Sequence, residues 1–463
     1  MTHKLTADYL VIGSGAMGMA FTDTLMTETD ATVIMVDRHH QPGGHWNDAY
    51  PYVRLHQPSA FYGVNSKHLG SDTIDAVGWN KGLYELATNS EVVAYFDQVM
   101  QQQFLPSGRV QYFPNCEYSG ERSFQSLVSD VTYTASVNKV VDATYMNVTV
   151  PSIRPPAYEV SEGASCVPPN ALPKLQGQYK NYVVVGAGKT GMDACLFLLK
   201  NDVEPDRIRW IMPRDSWILD RANIQPAALG ERAAGIFIQQ IRDLAEARDF
   251  DDAFKRVEES GSLLRFDPDV WPSMYRCATV TKMELEQLRR INGIVRLGRV
   301  NRISENSIHL DEGDIPTNAE TLHIDCSADG LERREPEAVF SGNKITLQSV
   351  RTCQQVFSAA FIGHVEAVYT DEAVKNELCT PVPHPDTDVD FLRTSVANSL
   401  NAARWAQDPE LTLWLANARL DGFSQAGPPP EEMDDEARAR LEEVAAVSKQ
   451  AVENAQRILA DLS

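Results

Sequence analysis

Two glycine-rich turns carry the clearest chemical signal in the sequence. GSGAMG and GAGKTG each follow a short apolar run and open a helical pattern. Glycines in such turns allow a tight bend, let the backbone approach a pyrophosphate, and let helix and strand pack closely. The turns therefore predict two dinucleotide sites. Their predicted binding residues are Gly13, Ser14, Gly15, Ala16, Met17 and Gly18 in the first, and Gly186, Gly188, Lys189, Thr190 and Gly191 in the second.

The GKT triplet of the second turn is also found in the phosphate-binding loop of nucleoside triphosphatases. That loop requires a glycine five positions before Gly188, where this chain has Val183. The spacing therefore favours a pyrophosphate beside Lys189 over a triphosphate.

The residues after the next strand distinguish the two predicted sites. Asp37, followed by Arg38, ends the strand after the first turn, where a carboxylate accepts hydrogen bonds from a ribose. Aligning VIMV (33–36) with RWIM (209–212) puts Pro213 at the acidic position and Arg214 after it. A guanidinium pairs with a 2′-phosphate that a carboxylate would repel, so the second site should prefer NADPH. The alternative is that Arg214 makes only a surface ion pair.

Strand, turn, helix and strand follow one another over 8–37, and the same order recurs from 179. This repetition predicts an α/β fold with two Rossmann-like dinucleotide-binding domains, joined near a proline-rich stretch. The expected divisions are an FAD-binding domain in two parts (1–155 and 326–425), an NADPH-binding domain (175–325) with a helical insertion at about 216–295, and a C-terminal helix (430–463). The patterns also predict a helix over 278–291 and a buried helix over 352–369. The apolar stripe of that last helix predicts a packing face or, alternatively, a homodimer contact.

Bulk properties exclude several classes of function. A net charge of -22 repels nucleic acid and anionic lipid surfaces, and no apolar run is long enough to cross a membrane. Without a secretion signal, the chain is expected in the cytoplasm. Its seven cysteines include no CxxC pair or zinc-ligand spacing, which predicts reduced thiols and no metal site.

Four further segments extend the pattern: GGHW (43–46), YPYVR (50–54), DAT (142–144) and DCSADG (325–330). With the two turns, they make the chain similar to the superfamily of flavin-containing and Baeyer-Villiger monooxygenases. The resemblance implies bound FAD and NADPH. It places Gly43, Gly44, His45, Trp46 and Ala328 at the cofactor, and Arg54 near the flavin ring or NADPH.

Arg54 and His56 are the predicted catalytic residues. A fixed cation at Arg54 would stabilise negative charge on a reduced flavin, and His56 titrates close to neutrality, as an acid or base must. Gln57 and Tyr62 are predicted to line the substrate pocket because they lie near these residues in sequence. Each of these residues also has a purely structural interpretation, as an ion pair or a hydrogen-bonded core group.

The resemblance implies a single-component monooxygenase that uses O₂ and a flavin C4a-(hydro)peroxide to oxygenate a small organic substrate. Two departures leave alternatives open. Segment 160–173 lacks the family's FxGxxxH linker motif, and His56 stands where Baeyer-Villiger enzymes carry a carboxylate. The alternatives are an FAD-dependent NADPH reductase without oxygen insertion and a non-catalytic dinucleotide-sensing protein. The sequence does not name the substrate.

Overall fold

The computed structural model describes residues 2–226, 229–422 and 435–462. The strands in these ranges are β1 Thr2–Thr6, β2 Tyr9–Ile12, β3 Val33–Val36, β4 Val110–Phe113, β5 Cys116–Gly120, β6 Ser123–Ser126, β7 Thr132–Ser136, β8 Lys139–Asp142, β9 Glu159–Val160, β10 Cys166–Val167, β11 Asn181–Val185, β12 Ile208–Ile211, β13 Ser216–Asp220, β14 Leu263–Leu264, β15 Met274–Val280, β16 Gly293–Val295, β17 Val300–Ile303, β18 Ser307–Leu310, β19 Gly313–Pro316, β20 Thr321–Asp325, β21 Phe340–Ser341 and β22 Lys344–Thr346. The α-helices in the same ranges are α1 Ala16–Glu28, α2 Asn89–Val99, α3 Leu172–Leu175, α4 Lys189–Lys200, α5 Gly230–Glu246, α6 Phe250–Glu259, α7 Lys282–Leu288, α8 Gln355–Val368, α9 Glu372–Leu378, α10 Val389–Trp405, α11 Pro409–Asn417 and α12 Asp435–Asp461.

The first large sheet has the strand order β21-β22-β8-β2-β3-β4 and is parallel except for the hairpin β21–β22. The apolar strands β2 and β3 are joined through α1, as the sequence predicts for a βαβ unit. Helix α8 packs against α1, and Gly363 permits the close crossing because a Cβ there would lie 3.0 Å from the Phe21 carbonyl oxygen. The buried helix predicted over 352–369 is confirmed by α8.

The second large sheet has the order β10-β20-β11-β12-β16, with all pairs parallel. Helix α4 joins β11 to β12, so the βαβ arrangement occurs twice and the predicted α/β fold class is confirmed. After β20 the chain returns to the first sheet, where β22 pairs with β8. The division into domains remains a prediction.

Three smaller sheets accompany these two, with orders β1-β7-β6-β5, β19-β18-β17-β9 and β14-β13-β15. The last of these lies in the insertion predicted as helical, together with α5, α6 and α7. The prediction of a helix from Ala278 is wrong for 278–280, which end β15. Helix α7 begins only after Thr281, whose side chain forms a capping box with Glu284.

The C-terminal helix is described from Asp435 onward, and 430–434 and 463 lie outside the described residues. Ala451, Ala455 and Ile458 are buried, and α12 contacts α5 and α10, which confirms the predicted packing face for that part of the stripe. Within the described ranges, no helix combines the length and apolar character required to span a membrane.

Candidate functional site

The first glycine turn joins β2 to α1 at the carboxyl edge of the first sheet. Gly13 has a φ of 98°, which favours glycine, and a Cβ at Gly18 would lie 2.1 Å from the Gly13 carbonyl oxygen. The N-cap residue of α1 is Gly15, which provides no capping side chain. The N–H groups of the first helical turn therefore remain available to a phosphate.

Asp37 directly follows β3 and is buried beside this turn. Its Oδ2 accepts hydrogen bonds from the Ser14 N–H (2.6 Å) and hydroxyl (2.9 Å), while Oδ1 accepts from the His39 backbone N–H (2.8 Å). Burial favours the neutral acid, but the bonds from His39 and Ser14 hold the pKa of Asp37 below its usual value. The Asp37 carboxylate thus holds the first glycine turn in place, and it also faces the cavity described below.

His39 lies between two carboxylates. Its Nδ1 is 2.9 Å from Asp37 Oδ1, and its Nε2 is 2.9 Å from Asp48 Oδ2. The bond with Asp37, opposed by burial and supported by Asp48, raises the pKa of His39. The His39 ring therefore ties the end of β3 to the segment that follows GGHW.

The GGHW segment folds back onto the first turn. A Cβ on Gly44 would lie 2.9 Å from the Gly15 Cα, so the two backbones touch where a pyrophosphate would approach. Trp46 is buried, and its Nε1 donates a 2.7 Å hydrogen bond to the Tyr62 hydroxyl. His45 lies against the Trp46 ring, and burial lowers the pKa of His45 to about 4. This segment forms a flat, largely uncharged wall.

One cavity of about 670 Å³ begins at the carboxyl ends of β2, β3 and β8, within the size range of cofactor sites. It contains many of the predicted site residues. Those that line it are Gly13, Gly15, Ala16, Met17, Asp37, Arg38, Gly44, His45, Trp46, Arg54, His56, Gln57, Tyr62 and Thr190. Those that do not are Ser14, Gly18, Gly43, Gly186, Gly188, Lys189, Gly191, Arg214 and Ala328.

The two predicted catalytic residues differ in environment. Arg54 is exposed at the cavity, whereas His56 is half-buried, and its backbone oxygen accepts a 2.8 Å bond from Arg221 Nε. Burial, together with the charges of Lys189 and Arg221, holds the pKa of His56 well below its ordinary value. His56 is therefore a neutral imidazole at physiological pH, and its surroundings disfavour protonation of the ring.

The second glycine turn repeats the geometry of the first. Gly186 has a φ of 117°, and a Cβ at Gly191 would lie 2.1 Å from the Gly186 carbonyl oxygen. A Cβ at Gly188, the N-cap residue of α4, would meet no atom within 4 Å. Open space therefore lies where a dinucleotide would approach the helix N-terminus.

The segment YPYVR is connected to α4 by a chain of polar contacts. The Tyr50 hydroxyl donates a 2.6 Å hydrogen bond to Asp193 Oδ2, and Lys189 forms an ion pair with the same carboxylate. Tyr52 stacks on Phe197 with ring centroids 4.3 Å apart. Lys189 is therefore positioned by Asp193 at the second turn and links it to the segment that carries Arg54.

The structure corrects the predicted position of Arg214. Val36 O accepts from Gly13 N and Ile211 O from Gly186 N, so Met212, not Pro213, occupies the place of Asp37. The sequence alignment was wrong by one residue because both strands are apolar throughout and offer no internal marker. Arg214 Nη2 lies 3.0 Å from Asp386 Oδ1, which is the ion pair of the alternative interpretation.

The segment 325–330 was predicted to contribute Ala328 to the cofactor site. Its first residue ends β20 in the second sheet, and the structure instead brings Gly330 and Leu331 to the cavity. Gly330 accepts a 2.8 Å backbone bond from Thr149 N. The segment thus reaches the cavity two residues later than the resemblance implied, and Ala328 does not line it.

Sequence reasoning missed one group at the cavity. Cys277 and Cys353 form a disulfide across 76 residues, and both line the cavity, as does His384. The prediction that all thiols are reduced is therefore wrong for this pair. No motif indicates it, because the bridge depends on how β15 and the start of α8 are placed in space.

No protein-family model matches the sequence. Uncharacterized proteins of Mycobacterium bovis and Mycobacterium tuberculosis are 57% identical over 434 residues, covering 92% of this chain and 79% of each relative. A solved cyclohexanone monooxygenase from Rhodococcus sp. Phi1, bound to NADP⁺, is 13% identical with a TM-score of 0.49, covering 79% of this chain and 84% of its own. A flavin-containing monooxygenase from Stenotrophomonas maltophilia is 14% identical with a TM-score of 0.44, covering 78% of this chain and 97% of its own. At the identity and coverage found for the mycobacterial relatives, this chain belongs to the same family as those proteins.

Proposed function

We propose that the chain is an FAD-dependent oxidoreductase that consumes NADPH. One observation carries the proposal: Gly13 and Gly15 of the first turn and Thr190 of the second line the same cavity. Cofactors bound at the two turns would share that space, as hydride transfer between them requires.

The residues of the first turn fit an FAD. The pyrophosphate would lie on the N-terminus of α1, where Gly15 and Gly44 leave room for close approach. Asp37 faces the cavity and would accept a hydrogen bond from the adenosine ribose. The wall of Trp46 and Tyr62, joined by its hydrogen bond, would lie against the flavin ring system.

The residues of the second turn fit NADPH. Gly188 leaves open space at the N-terminus of α4, and Met212 presents no carboxylate to repel a 2′-phosphate. Arg214 follows two residues later and, although paired with Asp386, it shares that carboxylate with Arg333, whose Nη1 lies 3.2 Å away. Arg276 and Asp329 belong to the same ion-pair network, in which the guanidiniums of Arg214, Arg276 and Arg333 face the carboxylates of Asp329 and Asp386. Three cations against two anions would leave positive charge for a phosphate.

When bound, the flavin would accept hydride from NADPH and pass the electrons to an acceptor. The protein would supply positioning and charge. Gln354 and Gln355, at the N-terminus of α8, line the cavity and bring the positive end of a helix dipole to the negative charge of a reduced cofactor. His56, as a neutral imidazole, would relay a proton, and Arg54 would stabilise an anion.

We assign O₂ as the acceptor and a small organic compound as the substrate, in a single-component monooxygenase. The motifs GGHW and YPYVR support this assignment, since both are placed at the cavity. The reductase without oxygen insertion is the second candidate, and the disulfide in the cavity wall favours it. The non-catalytic sensing protein remains the third hypothesis.

Anaerobic titration of the FAD-loaded protein with NADPH tests the electron path. We expect NADPH to bleach the flavin absorbance. The variant Gly188→Ala, whose added Cβ meets no atom within 4 Å, should bind FAD yet bleach about tenfold more slowly. A protein that binds FAD without bleaching supports the sensing hypothesis and contradicts the proposal, as does a protein that binds no FAD.

Labelled oxygen distinguishes the two enzymes. The FAD-loaded protein is incubated with NADPH, ¹⁸O₂ and a panel of amines, sulfides, ketones and aromatic acids. A monooxygenase places one ¹⁸O atom in a product and consumes one NADPH for each. If no compound gains ¹⁸O while NADPH reduces the flavin, the reductase hypothesis replaces the monooxygenase.

A further inference from the structure

The disulfide Cys277–Cys353 borders the space proposed for the two cofactors. It joins β15 to the residue that precedes the N-cap of α8, and both cysteines line the cavity that begins at Gly13. Cys277 is buried, while Cys353 is only partly buried. One sulfur is thus shielded by protein and the other is the more accessible.

The local backbone directs Cys277 to this position. Trp217 of β13 pairs with Tyr275, but the next pair is Leu219 with Thr279, so β15 carries extra residues in a bulge around Cys277. Bulges next to functional sites re-aim side chains. Cys277 has a φ of 56° and Cys353 a φ of 58°, conformations that non-glycine residues rarely adopt and that cluster at functional sites.

The surroundings of Cys353 favour thiol chemistry. His384 Nδ1 lies 3.9 Å from the Cys353 Sγ, and burial lowers the pKa of His384 to about 4, so the ring is neutral and able to accept a proton. Gln354, the N-cap residue of α8, makes no capping side-chain bond. A helix N-terminus stabilises a thiolate, and a neutral imidazole can take the proton that the thiol releases.

We propose that Cys277–Cys353 is a redox-active disulfide, reduced by NADPH through the cofactor cavity and reoxidised by a small disulfide substrate. This inference rests on the proposed binding of FAD and NADPH and adds a disulfide reductase activity to it. A hydride equivalent from NADPH breaks the S–S bond to give one thiol and one thiolate, and a solvent proton, relayed by His384, converts the thiolate to the second thiol. Each cycle therefore consumes one NADPH and one proton and yields NADP⁺ and two thiols.

Reoxidation completes the cycle by thiol–disulfide exchange. The Cys353 thiol gives its proton to His384, and the resulting thiolate attacks one sulfur of the incoming disulfide and displaces the other as a thiolate, which takes up that proton. Cys277 then attacks the mixed disulfide, releases the second substrate thiol, and restores the bond to Cys353. The substrate is thus reduced to two thiols, and no other oxidant is required.

Counting thiols in the full-length, FAD-loaded protein tests the proposal. The protein is treated anaerobically with NADPH, alkylated, and mapped by mass spectrometry. We expect two new thiols, at Cys277 and Cys353, and an NADPH consumption of two equivalents, one for the flavin and one for the disulfide. If the flavin bleaches with one equivalent and no thiol appears, the inference is overturned while the proposed function stands. If the flavin does not bleach, the proposed function itself has failed.

Three variants sharpen the test. Cys353→Ser should consume one equivalent of NADPH, while Cys166→Ser, which removes a half-buried free thiol, should still consume two. His384→Gln keeps both cysteines and therefore still provides a test if Cys353→Ser does not fold. It should form the same two thiols at least tenfold more slowly. Unchanged consumption in Cys353→Ser contradicts the redox role, and an unchanged rate in His384→Gln contradicts the role of His384 in proton transfer.

Discussion

Replacing Gly188 by alanine separates cofactor binding from folding at the second turn. The residue is the N-cap of α4, has a φ of -75° that alanine also adopts, and leaves its Cβ position free of neighbours within 4 Å. Alanine is a poorer N-cap than glycine, which costs about 1 kcal/mol or less. We therefore expect a small change in stability, with a thermal midpoint lowered by about 2–4 °C at most.

The affinity for NADPH should fall far more than the stability. The added methyl group occupies the space through which a pyrophosphate reaches the first turn of α4. Loss of one charge-assisted hydrogen bond costs about 1.5–3 kcal/mol, which corresponds to a weakening of about 10- to 100-fold. The assay compares the Kd for NADPH, measured by calorimetry, with the thermal midpoint and the FAD content of the same preparation. FAD content should remain that of the wild type.

Gly191→Ala is the matched control from the same turn. Its Cβ would lie 2.1 Å from the Gly186 carbonyl oxygen, so α4 must move away from β11. Overpacking of this kind costs about 1–3 kcal/mol, and both stability and NADPH affinity should fall. If Gly188→Ala binds NADPH as tightly as the wild type, the pyrophosphate does not lie at this helix N-terminus, and the argument from the second turn is refuted.

Three further substitutions test other parts of the site. Arg214→Ala should raise the KM for NADPH about tenfold or more and leave that for NADH unchanged, since only NADPH carries a 2′-phosphate; equal effects on both would contradict the assignment. Because Asp37 raises the pKa of His39, the stability from this pair is present below about pH 6.5 and is lost as pH rises through the raised value. The thermal midpoint should therefore fall on raising the pH above neutrality and fall less in His39→Gln, and an equal fall in both would contradict this role. Tyr62→Phe leaves the buried Trp46 N–H without its acceptor, so the free energy of unfolding should fall by about 1–3 kcal/mol in denaturant titration, whereas no change would show that the bond is dispensable.

The sequence was sufficient to predict both βαβ units because their signals are local. Gly18 and Gly191 are required by contacts with carbonyls five residues earlier, and the apolar strands precede them directly. The buried helix α8 was also predictable from an apolar run of suitable length. Helix predictions failed where a strand ended next to a helix, at 278–280, because nothing in the apolar pattern marks the change before the capping box at Thr281.

The ends of the strands were less predictable than the strands themselves. The position equivalent to Asp37 is set by the hydrogen bond from Gly186 N, just after β11, to Ile211 O at the end of β12. An apolar run contains no residue that fixes the register between these two strands. Arg214 therefore lies two residues after the position equivalent to Asp37, and not one residue after it as the sequence alignment predicted. The sequence nevertheless predicted that no acid stands at this position. Met212, like Pro213, carries no charge that would repel a phosphate.

The contacts of Tyr50 connect the segment that carries Arg54 to the second turn. Its hydroxyl holds Asp193 on α4, and Asp193 in turn holds Lys189 at the second turn. Tyr50 lies four residues before Arg54, and both residues line the cavity. A shift of α4 on binding NADPH would therefore be transmitted to the segment that contains them. With NADPH bound at the second turn as proposed, this contact would couple the position of Arg54, and so the charge proposed to stabilise the reduced cofactor, to the binding of the molecule that reduces it.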